Sequence, residues 1–276
     1  MSTTTSRAPT QPAPWKRIFL NHVNKMDSPE FVLSTMTKAP DNSPTPYVPR
    51  ARFCVFRGFW AELPENDKNE ASKNPRVFES DLFTFTTDVR MQKVGELFGT
   101  SSGKADRDEL VQGSGGGGPV EAVWWAKEGM MQWRVRGHAF VVANDIEEND
   151  ESSGVRTVKS EVGSRMRVVQ EGKEGNWSWK KEVDGHFGNL SPGMRGSFKA
   201  PPPGRPSDEP FDKQKNQLGT KVDNIDDAAA RENFRVVIIK PDWVEMTDVS
   251  GTESCRRYQY QYDPSSGEWM VTERWP

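Results

Sequence analysis

Three short stretches set cations, amides and hydroxyls into apolar, strand-like runs: Arg52-Phe-Cys-Val-Phe-Arg57, Phe85-Thr-Thr-Asp-Val-Arg-Met-Gln-Lys93 and Gln132-Trp-Arg-Val-Arg-Gly-His138. The second could hold an anion. Thr86 and Thr87 would end a strand, and Arg90, Gln92 and Lys93 would open a helix. A helix start adds free N–H groups and the positive end of its dipole. A plain N-cap at Asp88 with solvated charges would read the same way. In the first stretch Arg50, Arg52, Cys54 and Phe56 fall on one face of an ideal strand and Arg57 on the other. Arg52 and Arg57 therefore serve different groups unless a bulge intervenes; a charge-protected edge strand is the alternative. In the third, Gln132, Arg134, Arg136 and His138 lie opposite Trp133, Val135 and Gly137. A solvated face over a core face accounts for each of those cations taken singly, and His138 alone reads as structural or surface.

Positioning such groups needs strands, and strands dominate the pattern. Residues 1–13 read as a disordered tail. Trp15, Ile18, Phe19, His22, Val23 and Met26 form one stripe at three- and four-residue spacing, which predicts a helix from Pro14 to Met26. Strands are expected over Phe31–Thr37, Arg50–Trp60 and Leu82–Thr87, followed by a helix over Arg90–Phe98 capped at Asp88. Val120–Trp125 and Met131–Ala143 read as a hairpin around Lys127-Glu-Gly, and Arg165–Val169 as a further pairing. Trp177–Leu190 reads as helical. Phe234–Lys240, Val244–Val249, Arg256–Tyr262 and Trp269–Trp275 are the closing strands, with a turn at Asp263-Pro-Ser-Ser-Gly. Polar stretches near 99–118, 144–175 and 199–232 look like insertions into one domain spanning 14–276. Turns at short intervals and no βαβα order predict a mainly β protein, an antiparallel β-barrel with a few helices.

The bulk composition mostly excludes. Fourteen Phe and ten Trp among 276 residues argue against wholesale disorder. A net charge of −3, from 37 basic and 40 acidic residues, suggests neither nucleic acid nor an anionic membrane as partner. No apolar run approaches the ~18 residues of a membrane span. Cys54 sits in a strand pattern like a buried small hydrophobe, and no Cys/His cluster offers a metal site. A reducing, cytoplasmic setting is expected.

Taken in order, the three stretches resemble the pyridoxamine 5'-phosphate oxidase-like FMN-binding split-barrel family, in a divergent branch. There an Arg-x-x-x-x-Lys strand precedes an aromatic-Tyr-Thr strand end, a Lys-bearing turn and a Gln-bearing strand ending in Gly. Arg52 matches the first Arg, with Arg57 at the Lys position; Thr86 and Thr87 match Tyr-Thr, and Lys93 the Lys. Gln92 stands where a phosphate-contacting Arg is found, with Arg90 close enough to substitute. Gln132 matches a flavin-edge Gln and Arg257 a flavin-contacting Arg. Leu190-Ser-Pro-Gly-Met-Arg195 and the ending Trp269 to Pro276 extend the likeness, which runs from Trp15 to Pro276. The family's substrate-side Arg-x-His has no counterpart in Thr252–Cys255. Its substrate-phosphate residues have none around 175–183, although Lys180 and Lys181 lie nearby.

The resemblance implies a split β-barrel homodimer with FMN at the subunit interface. Arg52, Arg90, Gln92 and Lys93 would serve the phosphate, and Thr86 and Thr87 the phosphate or ring. Gln132 and Arg257 would address the ring, and Arg57 would face a small-molecule substrate. The implied activity is that of an FMN-dependent oxidoreductase, with hydride transfer from an amine or alcohol to FMN. The alternative is an FMN-binding module without vitamin B6 oxidase turnover, serving flavin sensing or storage or the reduction of another acceptor. A β-barrel binding protein with no flavin is a third reading.

Overall fold

The computed structural model describes residues 8–102, 113–214, 216–251 and 253–276. The first seven residues of the expected tail lie outside that description. Ala13, at its end, is buried, with its N–H donating to Asp81 Oδ2 at 3.1 Å. Helix α1 (Lys16–Val23) follows, and the predicted stripe is its buried side. Phe19 meets Phe56, Phe83, Trp124 and Trp133 edge-on at centroid distances of 5.1–5.5 Å. Trp15 stacks on Phe83 at 5.2 Å. Such pairs add ~0.5–1.5 kcal/mol each beyond the area they bury, so the helix is locked to the sheet by its rings.

The strands are β1 (Glu30–Lys38), β2 (Tyr47–Val55), β3 (Phe78–Ser80), β4 (Phe83–Asp88), β5 (Gly115–Ala126), β6 (Met131–Val142), β7 (Met166–Val168), β8 (Phe234–Asp248), β9 (Arg256–Asp263) and β10 (Glu268–Arg274). The helices after α1 are α2 (Gln92–Gly99), α3 (Ser153–Gly163), α4 (Trp179–Gly188), α5 (Pro192–Ser197) and α6 (Ala228–Asn233). One antiparallel sheet runs β10-β9-β8-β6-β5-β1-β2, with β4 also paired to β8; β3 and β7 form a small second sheet. The chain is thus mainly β, antiparallel, with few helices, as expected. The expected barrel is met only in part, because no continuous ladder closes the sheet. Its edges approach where the chain leaves β2: Arg57 N–H donates to Thr84 O at 2.8 Å, Thr84 N–H donates to Gly58 O at 2.9 Å, and Phe59 bridges Phe83. Gly58 makes that exit possible at φ +104°; a Cβ there would sit 2.8 Å from Pro64.

Strand β8 corrects a second expectation. The sequence pattern predicts one strand ending at Lys240 and another beginning at Val244, yet Phe234–Asp248 is continuous. Pro241 sits opposite Gly137, where the β6–β8 register shifts. A bulge accommodates the missing N–H, and at Gly137 a Cβ would collide with the Lys240 carbonyl. The run Phe234-Arg-Val-Val-Ile-Ile239 is apolar because both its faces are covered. Val237 and Ile239 join the core beneath α1 and α2, while Phe234, Val236 and Ile238 join a second core with residues of α3 and α4. The stretch 144–175 contributes to that second core through Ile146, Val155, Val158 and Val162. Gly115–Gly118, read as the end of a flexible loop, instead opens β5 and pairs with β6, with a register shift at Gly116/Gly118. Residues 103–112 of the same expected insertion lie outside the described residues. Among the described residues no helix is long and apolar enough to cross a membrane, and Cys54 and Cys255 are free.

Candidate functional site: a cationic groove at the end of β2 and β4

The strand-turn-helix from β4 to α2 builds one wall of a groove of about 400 Å³. Thr86 and Thr87 end β4 opposite Val236 and Arg235 of β8. The next backbone N–H, of Val89, donates to Asn233 O at 2.8 Å and fixes the turn. Lys93 then points inward from the first turn of α2. The facing wall comes from α5 and the chain after it, through Met194, Ser197, Pro201 and Pro203; Cys54 and Arg57 line the side toward β2. Thr86, Thr87 and Lys93, expected at the cofactor, and Arg57, expected at the substrate, converge here. The Leu190–Arg195 segment of the resemblance supplies Met194 to the α5 wall, while nothing local marks Ser197, Pro201 and Pro203 as the rest of that wall.

The charges of the groove are unbalanced. Lys93 is buried, and its ammonium donates to Thr87 Oγ1 at 3.1 Å. Among the described residues it forms no ion pair, and burial holds it below the ordinary lysine range. Arg57 donates from Nη2 to Met194 Sδ at 3.5 Å, and its buried Nε has no partner. Burial lowers its pKa too, and among the described residues it meets no carboxylate at ion-pair distance. Two cations, Thr86, Thr87 and Ser197 therefore line one space, with the Thr87 hydroxyl on Lys93. Cys54 at its edge is inert, its thiol pushed up to about 11 by burial against the smaller opposing pull of Lys93 and Arg52.

Four other predicted residues take different roles in this structure. Arg52 lies near enough to Cys54 and Lys93 to act on their titration. Its guanidinium, however, is held by Glu96 Oε2 at 2.5 Å and by Thr35 Oγ1. Arg90 is fully spent. Its Nε and Nη2 fork onto Asp88, at 2.9 and 2.6 Å. Its remaining N–H groups donate to Phe198 O, Ala200 O and Asn216 Oδ1. It ties the wall after α5 to the β4 turn, and keeps the Asp88 carboxylate from neutralising the groove. Asp88 is accordingly no helix cap: it accepts from Arg90 N–H at 2.8 Å, and Met91 is the N-cap of α2. Gln92 turns away from Lys93 and accepts from Arg50 Nη2 at 3.1 Å, beside another shallow cavity next to Gly95 and Gly99. Successive helix positions are rotated by ~100°, so neighbours at 92 and 93 cannot share one ligand face.

Gln132 and Arg257 do not reach the groove. Gln132 is opposite Thr247, and Thr247 is opposite Arg257, so the three make one row across β6, β8 and β9. Strands β1 and β5 stand between this row and β2. With strands ~4.8 Å apart, that puts Gln132 roughly 14 Å from the groove edge and Thr247 and Arg257 farther still. The row is nevertheless incomplete in itself: Thr247 Oγ1 and Arg257 Nε are buried without partners. No group of His, Cys, Asp and Glu among the described residues could hold a metal ion.

Residues 12–143 match the family model of the pyridoxamine 5'-phosphate oxidase FMN-binding domain. A pyridoxamine 5'-phosphate oxidase-related, FMN binding protein from Nostoc punctiforme PCC 73102 matches in structure with a TM-score of 0.59 at 17% identity, over 96% of this chain and 100% of that one. That identity speaks for the fold alone. PhzG from Burkholderia lata 383, solved with tetrahydrophenazine-1-carboxylic acid, gives a TM-score of 0.45 at 14% identity, over 94% and 88% of the two chains. The comparison with curated proteins gives no significant match.

Proposed function

We propose, from the match of residues 12–143 to the family model of the pyridoxamine 5'-phosphate oxidase FMN-binding domain, that the cationic groove holds the phosphate of FMN and that the chain is a flavoprotein oxidoreductase. The observation that carries this reading is Lys93, a buried ammonium with one hydroxyl partner and no counter-ion among the described residues. Burying a charge unpaired is costly. A phosphate close to dianionic would relieve that cost at Lys93 and accept from Thr86 and Thr87 as well.

When bound, FMN supplies two-electron redox chemistry as a hydride acceptor. The chain's part is placement. Lys93, Thr86 and Thr87 hold the phosphate end, Cys54 and Phe198 give the groove an unreactive wall, and Arg57 faces the substrate. Arg52 serves indirectly, by holding Glu96 away from Lys93. The row Gln132–Thr247–Arg257 fits the ring-edge role if a second copy of the chain brings it to the groove. Its buried, unpartnered Thr247 Oγ1 and Arg257 Nε support a homodimer with shared sites. The split-barrel form of the fold belongs to the same reading and rests on the contacts between Arg57–Phe59 and Phe83–Thr84.

Purified protein should show flavin absorption, or acquire it with added FMN. Lys93→Ala should lose one charge-assisted contact of ~1.5–3 kcal/mol, about a 10- to 150-fold rise in Kd by fluorescence-quenching titration. Equal affinity in wild type and variant would move the phosphate elsewhere. The module without vitamin B6 turnover has its own support. Lys180 is paired with Asp184 at 2.7 Å, Lys181 is exposed, and neither lines the groove. Oxidation of pyridoxamine phosphate at ordinary enzymatic rates would reject that second reading.

A further inference from the structure

On the far side of Arg57 lies a second cavity, of about 510 Å³, between α1, the exit of β2 and the C-terminal end of α4. Arg57 lines both spaces. The floor of this chamber is apolar, with Val23, Phe56 and Leu190 buried beneath it. Its wall carries His186, which is 2% exposed, lies parallel to Trp60 at 5.9 Å, and leaves Nε2 buried without a partner. Burial, with a smaller push from Arg57, takes that imidazole down to about 3, so it enters the chamber uncharged.

The charge count selects the ligand. Arg57 is the one cation among the residues lining the chamber, and Glu65 is its one acid. A phosphate ester would bring nearly two negative charges to one guanidinium and a nearby carboxylate. A single carboxylate matches Arg57 in charge and in fork geometry, and the apolar floor asks for a hydrocarbon body. We infer that this chamber takes a small, largely apolar molecule bearing one carboxylate, seated on Arg57 with its body over Phe56 and Leu190 and a polar atom within reach of His186. As a binding site the chamber stands by itself; as the substrate site of a flavoprotein it rests on the FMN reading of the groove.

The test is calorimetric titration of the full chain with 3-phenylpropanoate, its neutral amide 3-phenylpropanamide, and 2-phenylethyl phosphate, alongside FMN titration of the same samples. The acid should bind at least roughly tenfold tighter than the amide, the gain of one charge-assisted pair, and tighter than the phosphate ester. Arg57→Gln should remove the preference of acid over amide. Asn24→Trp, at an exposed lining position on the α1 side, should abolish binding of both while leaving FMN affinity unchanged. Acid and amide binding alike, no binding by either, tighter binding of the phosphate ester, or undiminished binding to Asn24→Trp would each overturn the inference. FMN binding without acid binding defeats the chamber alone; acid binding without FMN binding defeats the flavin reading and leaves the chamber standing.

Discussion

Arg52→Ala is expected to destabilise the fold by roughly 3 kcal/mol, a larger effect than its effect on FMN affinity. A phosphate ligand in an open strand position would give the reverse: weaker FMN, unchanged stability. The difference lies in Glu96. Its carboxylate is buried in α2 and receives Arg52 Nη2 at 2.5 Å and Thr35 Oγ1 at 2.5 Å. Arg50 stands farther off at 3.8 Å and is half exposed. Removing Arg52 strands that charge in the wall behind Lys93, and the cost of an orphaned buried carboxylate exceeds the Coulombic worth of the pair. Glu96→Gln in the same chain should restore much of the loss, because a neutral amide tolerates burial better. Urea unfolding of Arg52→Ala, Glu96→Gln and the double variant checks this through the coupling term of a double-mutant cycle. If Arg52→Ala unfolds at the wild-type midpoint and binds FMN poorly, Arg52 is a phosphate ligand and its pairing with Glu96 is incidental.

That revision shows what the sequence could and could not carry. Phe19, Trp15 and Val23 were legible because helical periodicity and burial have one cause. Thr86, Thr87 and Lys93 were legible because a strand end, a tight turn and a helix start set their relative positions within eight residues, with little room for the rest of the fold to intervene. Arg90 was expected at the phosphate although its carboxylate partner Asp88 is two residues away, and its further partners at Phe198, Ala200 and Asn216 are more than a hundred positions away. No local pattern distinguishes a free cation from a spent one. Gln92 was named from the position it shares with a phosphate-contacting Arg of the family, and position alone does not show that its side chain accepts from Arg50, about 100° round the helix from Lys93. The break read at Pro241 was sound as local chemistry and was overruled by a bulge that Gly137 permits from the neighbouring strand. The chamber left no trace in the sequence, since α1, β2 and α4 meet only in the folded chain.

The two buried titratable groups of α4 should make stability depend on pH in opposite senses. Glu182 is raised from 4.5 to about 7 by burial, against a smaller opposing effect of its hydrogen bond from Asn74. Between those values the folded chain binds more protons than the unfolded chain, so stability falls as pH rises from 4.5 to 7, by about 3 kcal/mol in all. His186 is lowered from 6.5 to about 3 by burial first and Arg57 second. Here the unfolded chain binds more protons, so stability falls as pH drops from 6.5 toward 3, by ~1.4 kcal/mol per pH unit. Between 4.5 and 6.5 the two slopes oppose each other and nearly cancel. Glu182→Gln should therefore expose the histidine alone, with stability climbing by roughly 2.7 kcal/mol from pH 4.5 to 6.5. His186→Phe should expose the carboxylate alone, with stability falling by a similar amount over the same window. Each change is a large share of the ~5–15 kcal/mol that holds a domain together. Denaturant midpoints at several pH values for the three proteins decide it. Parallel curves would mean that neither group is buried in the state that unfolds, which would also remove His186 from the wall of the chamber.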